Sequence, residues 1–262
     1  MLASQRQEAI LAAIRREGAA RIADLVESLQ VSDMTVRRDI GELARRGLVQ
    51  RVHGGAVDAR RAAHEPGFSA KAALHSPEKH AVAAAAVAQI SPGGAVALSA
   101  GTTTHLAARL VADTSALRPL TVVTNSLPAA AVLHERADPD LVVVLTGGTR
   151  TPSDALVGPV ATRALETLRV DLLLLGAHGV DPAAGLTTPN LLEAETDRAL
   201  IDAAGRTVVV ADHSKWGVVG LARIAALAEV DLLITDTGLP PDAVAAAESV
   251  VDLQLVSPEE AP

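Results

Sequence analysis

Clusters of glycine, hydroxyl and charged residues recur along the sequence, each directly after a short apolar run. They are Ser99-Ala100-Gly101-Thr102-Thr103-Thr104, Asn125-Ser126, Gly147-Gly148-Thr149-Arg150, Gly176-Ala177-His178-Gly179 and Asp212-His213-Ser214-Lys215. Backbone N–H groups freed by glycine, together with hydroxyls and the cations Arg150 and Lys215, are the groups that bind a phosphate. These residues therefore predict a site for a small phosphorylated molecule.

Each cluster also has a purely structural interpretation, because turns between strands and helices use Gly, Ser, Thr and Asn for capping. Neither the P-loop spacing nor, after the first strand, the Gly-x-Gly-x-x-Gly dinucleotide pattern is present. Five polar strand ends are harder to explain by capping alone, and ligands of open α/β sheets bind at the carboxyl ends of the strands. We therefore favour a binding pocket over capping.

The elements that position these clusters are short β-branched or Leu-rich runs that alternate with Ala-rich amphipathic stretches. The runs are Ala95 to Leu98, Thr121 to Thr124, Leu141 to Thr146, Leu172 to Gly176, Thr207 to Val210 and Leu232 to Thr235. Such alternation predicts an α/β domain with a mostly parallel sheet. We place this domain at residues 77–255, with a helix carrying Glu78 to Gln89 at its start, after a linker at 59–76.

Residues 3–58 predict a different unit, a winged helix-turn-helix with its helix-turn-helix at about 20–39. A first helix runs from an N-cap at Ser4 to a stop at Gly18, a second from about Arg21 to Leu29, and a third from Asp33 to about Arg46. Ile10 and Ile14 face inward, Val31 fills the short connection and Ser32 caps the third helix. Alternation around Gly54-Gly55 predicts a small β-hairpin, the wing.

The third helix leaves Thr35, Arg37, Arg38 and Asp39 outside its apolar stripe of Val36, Ile40 and Leu43. Outward residues at the start of such a helix enter the major groove of DNA. The predicted DNA-binding residues are Ser32, Thr35, Arg37, Arg38, Arg51 and His53. Two alternatives stay open: the arginines pair with Asp33, Asp39 and Glu42 on a solvated face, and His53 braces its own turn.

Charge is divided unevenly between the two units. Residues 1–61 carry 11 Arg and 8 Asp or Glu, a surplus of three positive charges, whereas the whole chain of 262 residues has a net charge of −8. A basic head on an acidic body is expected when only the head meets DNA. The absence of Cys excludes disulfides and thiolate chemistry, and no apolar stretch is long enough for a membrane. We therefore expect a cytoplasmic protein with no metal and no cofactor.

Taken together, the sequence resembles the DeoR-type family of bacterial repressors of sugar metabolism. The segments that carry the resemblance are 31–40, 51–56, 101–104, 124–126, 146–148, 185–190 and 211–215. The resemblance implies a sensor domain similar in fold to ribose-5-phosphate isomerase and glucosamine-6-phosphate isomerase, with Glu193, Asp212 and Lys215 around a sugar phosphate. This chain departs from the family pattern at Ser99, where many members have an acidic residue, and at Asp197, where Lys or Asn is common.

These observations predict a repressor of a sugar catabolic operon that a phosphorylated sugar releases from a double-stranded DNA operator. It is expected to act as a homo-oligomer and not as an enzyme. The predicted effector-binding residues are Ser99, Gly101, Thr102, Thr103, Thr104, Asn125, Gly147, Gly148, Arg150, Gly176, His178, Glu193, Asp212 and Lys215. The alternatives are a sugar-phosphate isomerase carrying a DNA-binding head, since Glu193, Asp212, Lys215 and His178 include acid and base groups, and a constitutive architectural DNA binder.

Overall fold

The computed structural model describes residues 3–17, 19–45, 48–52, 55–58, 68, 72, 74–136 and 138–258, and all structural statements concern these residues. Among them, no helix combines the length and the apolar character needed to cross a membrane.

The N-terminal unit contains three helices and a small antiparallel sheet. The elements are α1 (Ala3–Glu17), β1 (Ala19–Arg21), α2 (Ile22–Leu29), α3 (Asp33–Arg45), β2 (Val49–Val52) and β3 (Gly55–Asp58). The strand order is β1-β3-β2, and Val52 pairs with Gly55 across the hairpin. This arrangement confirms the predicted helix-turn-helix with a wing.

A compact apolar core holds the three helices and the hairpin together. It consists of Ile10, Ile14, Ile22, Leu25, Val36, Ile40, Leu43, Val49 and Ala56, with Val31 packed against it. The predicted inward positions of Ile10, Ile14 and Val31 are therefore confirmed, and the apolar stripe of α3 is buried in this core.

Two predictions for this unit are wrong. Helix α1 begins at Ala3, so Ser4 lies inside the helix and is not its N-cap. The residues around Ser4, from Ala3 to Ala9, are mostly strong helix formers, which extends the helix toward the N-terminus. Asp39, predicted to face outward, is 2 % exposed. A buried partner, Arg6, stabilises this carboxylate inside the unit.

The larger unit is built on a seven-stranded parallel sheet with the order β15-β14-β12-β9-β4-β5-β6. The strands are β4 (Ala95–Leu98), β5 (Leu120–Thr124), β6 (Leu141–Leu145), β9 (Leu172–Gly176), β12 (Thr207–Val210), β14 (Leu232–Asp236) and β15 (Leu253–Val256). All six predicted strands are present. The sequence did not predict β15, a short edge strand that is only half-buried along most of its length.

Helices cover both faces of this sheet, as expected when strands are joined by right-handed crossovers. They are α4 (Ser76–Val87), α5 (Thr102–Asp113), α6 (Leu127–Glu135), α7 (Pro159–Glu166), α8 (Leu191–Ala203) and α9 (Pro241–Glu248). Successive side chains of β9 alternate between the two cores, Leu172 and Leu174 on one face and Leu173 and Leu175 on the other. Helix α4 ends at Val87, two residues before the predicted Gln89.

Two further small sheets extend the domain beyond what periodicity indicated. They are a hairpin of β7 (Thr149–Arg150) and β8 (Leu156–Val157), and a sheet of β10 (Gly179–Asp181), β11 (Gly185–Thr188) and β13 (Ala222–Ala225). In the main sheet the chain moves outward from β4 through β5 and β6, then returns to β9 on the other side. The strand order therefore reverses between β4 and β9, the position where open α/β sheets form a ligand crevice.

Candidate functional sites

The start of α3 presents a polar surface to solvent. The Ser32 hydroxyl accepts the backbone N–H of Thr35 at 3.3 Å and lies 2.9 Å from the Thr35 hydroxyl, so Ser32 caps the helix as predicted. The guanidinium of Arg37 donates to Asp33 at 2.5 Å on an exposed face. Arg38 is also exposed and, in the described part of the chain, has no ion-pair partner. The alternative of a paired, solvated face thus applies to Arg37 more than to Arg38.

Two of the predicted DNA contacts, Arg51 and His53, belong to the wing. Arg51 lies in β2 opposite Ala56. His53 lies outside the described residues. Both remain predicted DNA contacts.

A pocket opens at the carboxyl ends of β4 and β9, where the strand order reverses. Its walls are formed by Phe68, Ala100, Gly101, Thr102, Thr103, Ser153, Ala155, Gly176, Ala177, His178, Thr188, Glu193, Asp197, Val210, Ala211, Lys215 and Ile224. Seven of the predicted effector-binding residues lie here: Gly101, Thr102, Thr103, Gly176, His178, Glu193 and Lys215. In the described ranges, no group of three or more His, Asp or Glu side chains is arranged to hold a metal ion.

The N-terminus of α5 forms one wall of the pocket. Gly101 caps the helix with a φ of 155°, a conformation that side chains rarely adopt. The N–H groups of the first turn and the helix dipole make this end of the helix attractive to an anion. Thr104 is fully buried and donates to the Gly101 carbonyl at 3.0 Å, so it shapes the turn from behind.

Two predicted residues, Ser99 and Asn125, support the pocket from beneath rather than lining it. The Ser99 hydroxyl accepts the N–H of Gly176 at 2.9 Å and thereby ties the ends of β4 and β9 together. The Asn125 side chain accepts the N–H of Ala100 at 2.8 Å and donates to the Leu156 carbonyl at 3.3 Å. Each residue therefore holds a backbone segment that lines the pocket, Ser99 at Gly176 and Asn125 at Ala100.

The turn after β12 separates the predicted pair Asp212 and Lys215. Lys215 lines the pocket, whereas Asp212 is 2 % exposed and accepts the backbone N–H of Ser214 at 3.1 Å. The other carboxylate oxygen of Asp212 lies 4.0 Å from the amino group of Lys79 in α4. Asp212 therefore shapes the turn that presents Lys215.

Carboxylates from α8 form another wall. The side chain of Glu193 accepts hydrogen bonds from the hydroxyls of Thr151 at 2.7 Å, Ser153 at 2.5 Å and Thr188 at 3.3 Å. Asp197 follows one helical turn later and also lines the pocket. Asp197 is a departure from the family pattern, but the predicted site did not include it, and it did not include Ser153 or Thr188.

The remaining predicted residues lie around the β7–β8 hairpin. Gly148 has a φ of 126°, and a Cβ there would lie 2.6 Å from the Val157 carbonyl oxygen, so close packing of the hairpin requires glycine. Gly147 precedes it with a φ of 72°. Arg150 is exposed and pairs with Asp154 at 2.5 Å. These residues do not line the pocket, but their hairpin brings Thr151 and Ser153 to Glu193.

A residue of the predicted linker, Phe68, also reaches the pocket. Its ring meets the ring of His105 in α5 edge to face, with 5.3 Å between centroids. Burial, reinforced by the nearby charge of Arg109, lowers the pKa of His105 below its ordinary value. The composition of the surrounding segment predicts a linker. The one signal against a free linker is the aromatic residue itself, whose large apolar ring favours packing against the domain.

Comparison with known proteins finds a family domain in each of the two units. Residues 6–61 match the DeoR-like helix-turn-helix domain, and residues 74–237 match the DeoR C terminal sensor domain. The chain belongs to the DeoR family. This DeoR-family protein is a DNA-binding regulator of transcription, in agreement with its helix-turn-helix domain and with relatives that match it over 92% of its length.

Two relatives of this DeoR-family chain span nearly its whole length. The HTH-type transcriptional regulator GlpR of Haloferax volcanii is 38% identical, over 92% of this chain and 93% of the relative. The glycerol-3-phosphate regulon repressor of Escherichia coli K12 is 31% identical, over 92% and 93%. Among solved structures, ribose 5-phosphate isomerase A of Methanocaldococcus jannaschii matches 53% of each chain with a TM-score of 0.39 and 20% identity.

Proposed function

We propose that this DeoR-family protein represses a sugar or carbohydrate catabolic operon, and that a phosphorylated sugar releases it from its operator. The observation that carries the proposal is the pocket at the strand-order reversal. Lys215 and the N-terminus of α5 supply the groups that suit a phosphate, while Glu193 and Asp197 accept hydrogen bonds from sugar hydroxyls. The name of the Escherichia coli relative refers to glycerol 3-phosphate, itself a small phosphorylated polyol.

On the DNA side, we propose that α3 enters the major groove with Thr35, Arg37 and Arg38 toward the bases and phosphates. The cap formed by Ser32 presents the first turn of this helix, while Arg51 and His53 contact DNA from the wing. A single helix-turn-helix reads one half-site, so specific binding calls for a homo-oligomer on repeated half-sites. Since its partner is genomic DNA, the protein acts in the cytoplasm.

We further propose that the pocket binds its ligand without converting it. An isomerase needs an acid and a base at the reacting atoms. Glu193 already accepts three hydroxyl hydrogen bonds, and Asp212 is turned toward Lys79, away from the pocket lining. This arrangement favours a sensor over the isomerase alternative.

A thermal-shift screen tests the proposal. The panel is ribose 5-phosphate, fructose 6-phosphate, glucosamine 6-phosphate and glycerol 3-phosphate, each beside its unphosphorylated counterpart and inorganic phosphate. A ligand at about 100 times its Kd stabilises the folded state by ~2.7 kcal/mol. We expect at least one phosphorylated compound, and none of the unphosphorylated ones, to raise the midpoint of unfolding. No shift with any phosphorylated compound would contradict the proposed effector class.

The same samples test the enzyme alternative. Ribose 5-phosphate, fructose 6-phosphate and glucosamine 6-phosphate, the panel compounds with a carbonyl carbon that can be isomerised, are incubated with pure protein and analysed for isomerised product. We expect no turnover. Turnover that disappears in Glu193→Ala would overturn the sensor proposal in favour of an isomerase.

A further inference from the structure

The segment that joins the DNA-binding unit to the sensor domain contributes directly to the pocket. Phe68 lies in this segment, ten residues after the end of β3, and this half-buried residue lines the same pocket as Gly101 and Thr102. The ring is held there by edge-to-face contact with His105. A ligand in the pocket therefore shares a surface with the connection to the DNA-binding unit.

The far end of the same segment is attached to the turn that carries Lys215. The amino group of Lys79 donates to the Leu74 carbonyl and lies 4.0 Å from Asp212, the first residue of that turn. The rings of His75 and His213 meet edge to face, with 5.3 Å between centroids. The segment thus has two attachments, one on α5 and one beside Lys215.

The second attachment rests on a firmly held residue. Asp236, at the end of β14, accepts the ring N–H of His213 at 2.7 Å and its backbone N–H at 2.7 Å. Burial alone would raise the pKa of Asp236, but these hydrogen bonds and one from the Gly238 N–H outweigh it and keep the pKa below its ordinary value. His213 therefore fixes the turn against the sheet while it contacts His75.

We propose that Phe68 is a ligand-contacting residue through which occupancy of the pocket is transmitted to the DNA-binding unit. The inference rests on the proposed function, because it assigns a mechanism of release to that ligand. A ligand bound between α5 and Lys215 lies against the Phe68 ring, whose flat apolar face suits the C–H groups of a sugar. A ligand shifts an equilibrium between two conformations only through contacts that differ between them. Phe68 lies on the connecting segment, so a movement of that segment would change the contact between its ring and the ligand.

The test separates binding from transmission. Full-length wild type, Phe68→Ala, Phe68→Leu and the control Leu221→Ala are compared, since Leu221 is an exposed apolar residue that does not line the pocket. The probe is the panel compound that gives the largest thermal shift with wild type. The readout is the ratio of operator Kd values with and without saturating probe. At saturation, weaker probe affinity no longer affects this ratio.

We expect Phe68→Ala to weaken probe binding by about tenfold, as loss of one aromatic contact, and to bring the operator ratio close to one. Phe68→Leu retains an apolar contact and gives an intermediate ratio, while Leu221→Ala matches wild type. A wild-type ratio in Phe68→Ala would overturn the inference and leave the proposed function intact. So would complete loss of probe binding in both Phe68 variants, since Phe68 would then only build the pocket. If no panel compound shifts wild type, the proposed function fails, and this inference with it.

Discussion

The guanidinium of Arg6 in α1 donates to the carboxylate of Asp39 in α3 at 2.5 Å, and both side chains are buried. The hydrogen bond to Asp39 raises the pKa of Arg6 above its ordinary value, so Arg6 stays charged. Together with the buried residues Val36, Ile40 and Leu43, this ion pair determines which face of α3 is turned inward. Arg38, the residue before Asp39, is consequently directed to solvent, where DNA can reach it.

Removing the charge of Asp39 tests this relationship. Asp39→Asn leaves Arg6 buried without its counter-ion, which is costly even where the intact pair adds little stability. We expect a lower midpoint of thermal unfolding and weaker operator binding, although Asp39 faces away from DNA. Asp33→Asn is the matched control, because Asp33 pairs with Arg37 on the surface, and we expect its loss to lower the midpoint much less. Equal midpoints for the two variants would show that the buried Arg6–Asp39 pair does not hold α3 in place.

Arg38 is expected to contact the operator. Arg38→Ala should weaken operator binding by ~1–3 kcal/mol. If the guanidinium contacts a phosphate, the slope of log affinity against log salt concentration should also become shallower by about one. The measurement is a titration of labelled operator across a salt series. Arg136→Ala is the control, an exposed arginine of the sensor domain that pairs with Asp113. Wild-type affinity at every salt concentration would remove Arg38 from the interface.

Variants of Lys215 and Arg150 test where the phosphate binds. Both cations were predicted from sequence as effector contacts, but only Lys215 lines the pocket, while Arg150 is exposed and paired with Asp154. We expect Lys215→Ala to abolish release by the sugar phosphate without loss of operator binding, and Arg150→Ala to behave as wild type. The readout is operator binding with and without the compound. Release that survives in Lys215→Ala would place the phosphate elsewhere.

Stability should depend on the protonation of His105. Burial lowers its pKa in the folded protein, whereas the unfolded chain has the ordinary value of about 6.5. As pH falls, the unfolded state therefore binds the proton first. The stability that the protein gains from keeping His105 neutral is fully present above about pH 6.5. It is lost as the pH falls from there through the lowered pKa of His105 in the folded protein. Unfolding midpoints between pH 8 and pH 5 should fall less in His105→Gln than in wild type, and parallel curves would contradict the assignment.

Much of the fold follows from local patterns in the sequence. All six predicted strands of the main sheet are present because runs such as Leu172–Leu175 are apolar on both faces and end at glycine or polar residues. The helix-turn-helix could be predicted in the same way, since Ser32 caps α3 through a hydrogen bond to a residue only three positions away. Such signals depend only on neighbours in sequence.

The contacts that sequence could not place join distant residues. The local sequence predicts Asp39 on a polar helix face, but the side chains of Arg6 and Gln7, 33 and 32 residues away, donate to its carboxylate inside the unit. Two of the three hydroxyls that donate to Glu193, those of Thr151 and Ser153, come from 42 and 40 residues away, beside a hairpin too short to give a periodic signal. Phe68 stands in a segment whose composition indicates a linker, and its docking depends on a ring from α5.

Operator binding by the full-length chain, with and without a sugar phosphate, tests the central claim most directly. Genomic fragments retained at low ionic strength supply the operator, and fluorescence anisotropy then gives its Kd in the presence of each panel compound. We expect one phosphorylated sugar to weaken binding by about 5- to 150-fold, the range of a coupling of ~1–3 kcal/mol, and its unphosphorylated form to have no effect. An operator Kd that no phosphorylated sugar changes, although one of them stabilises the protein, would contradict the account.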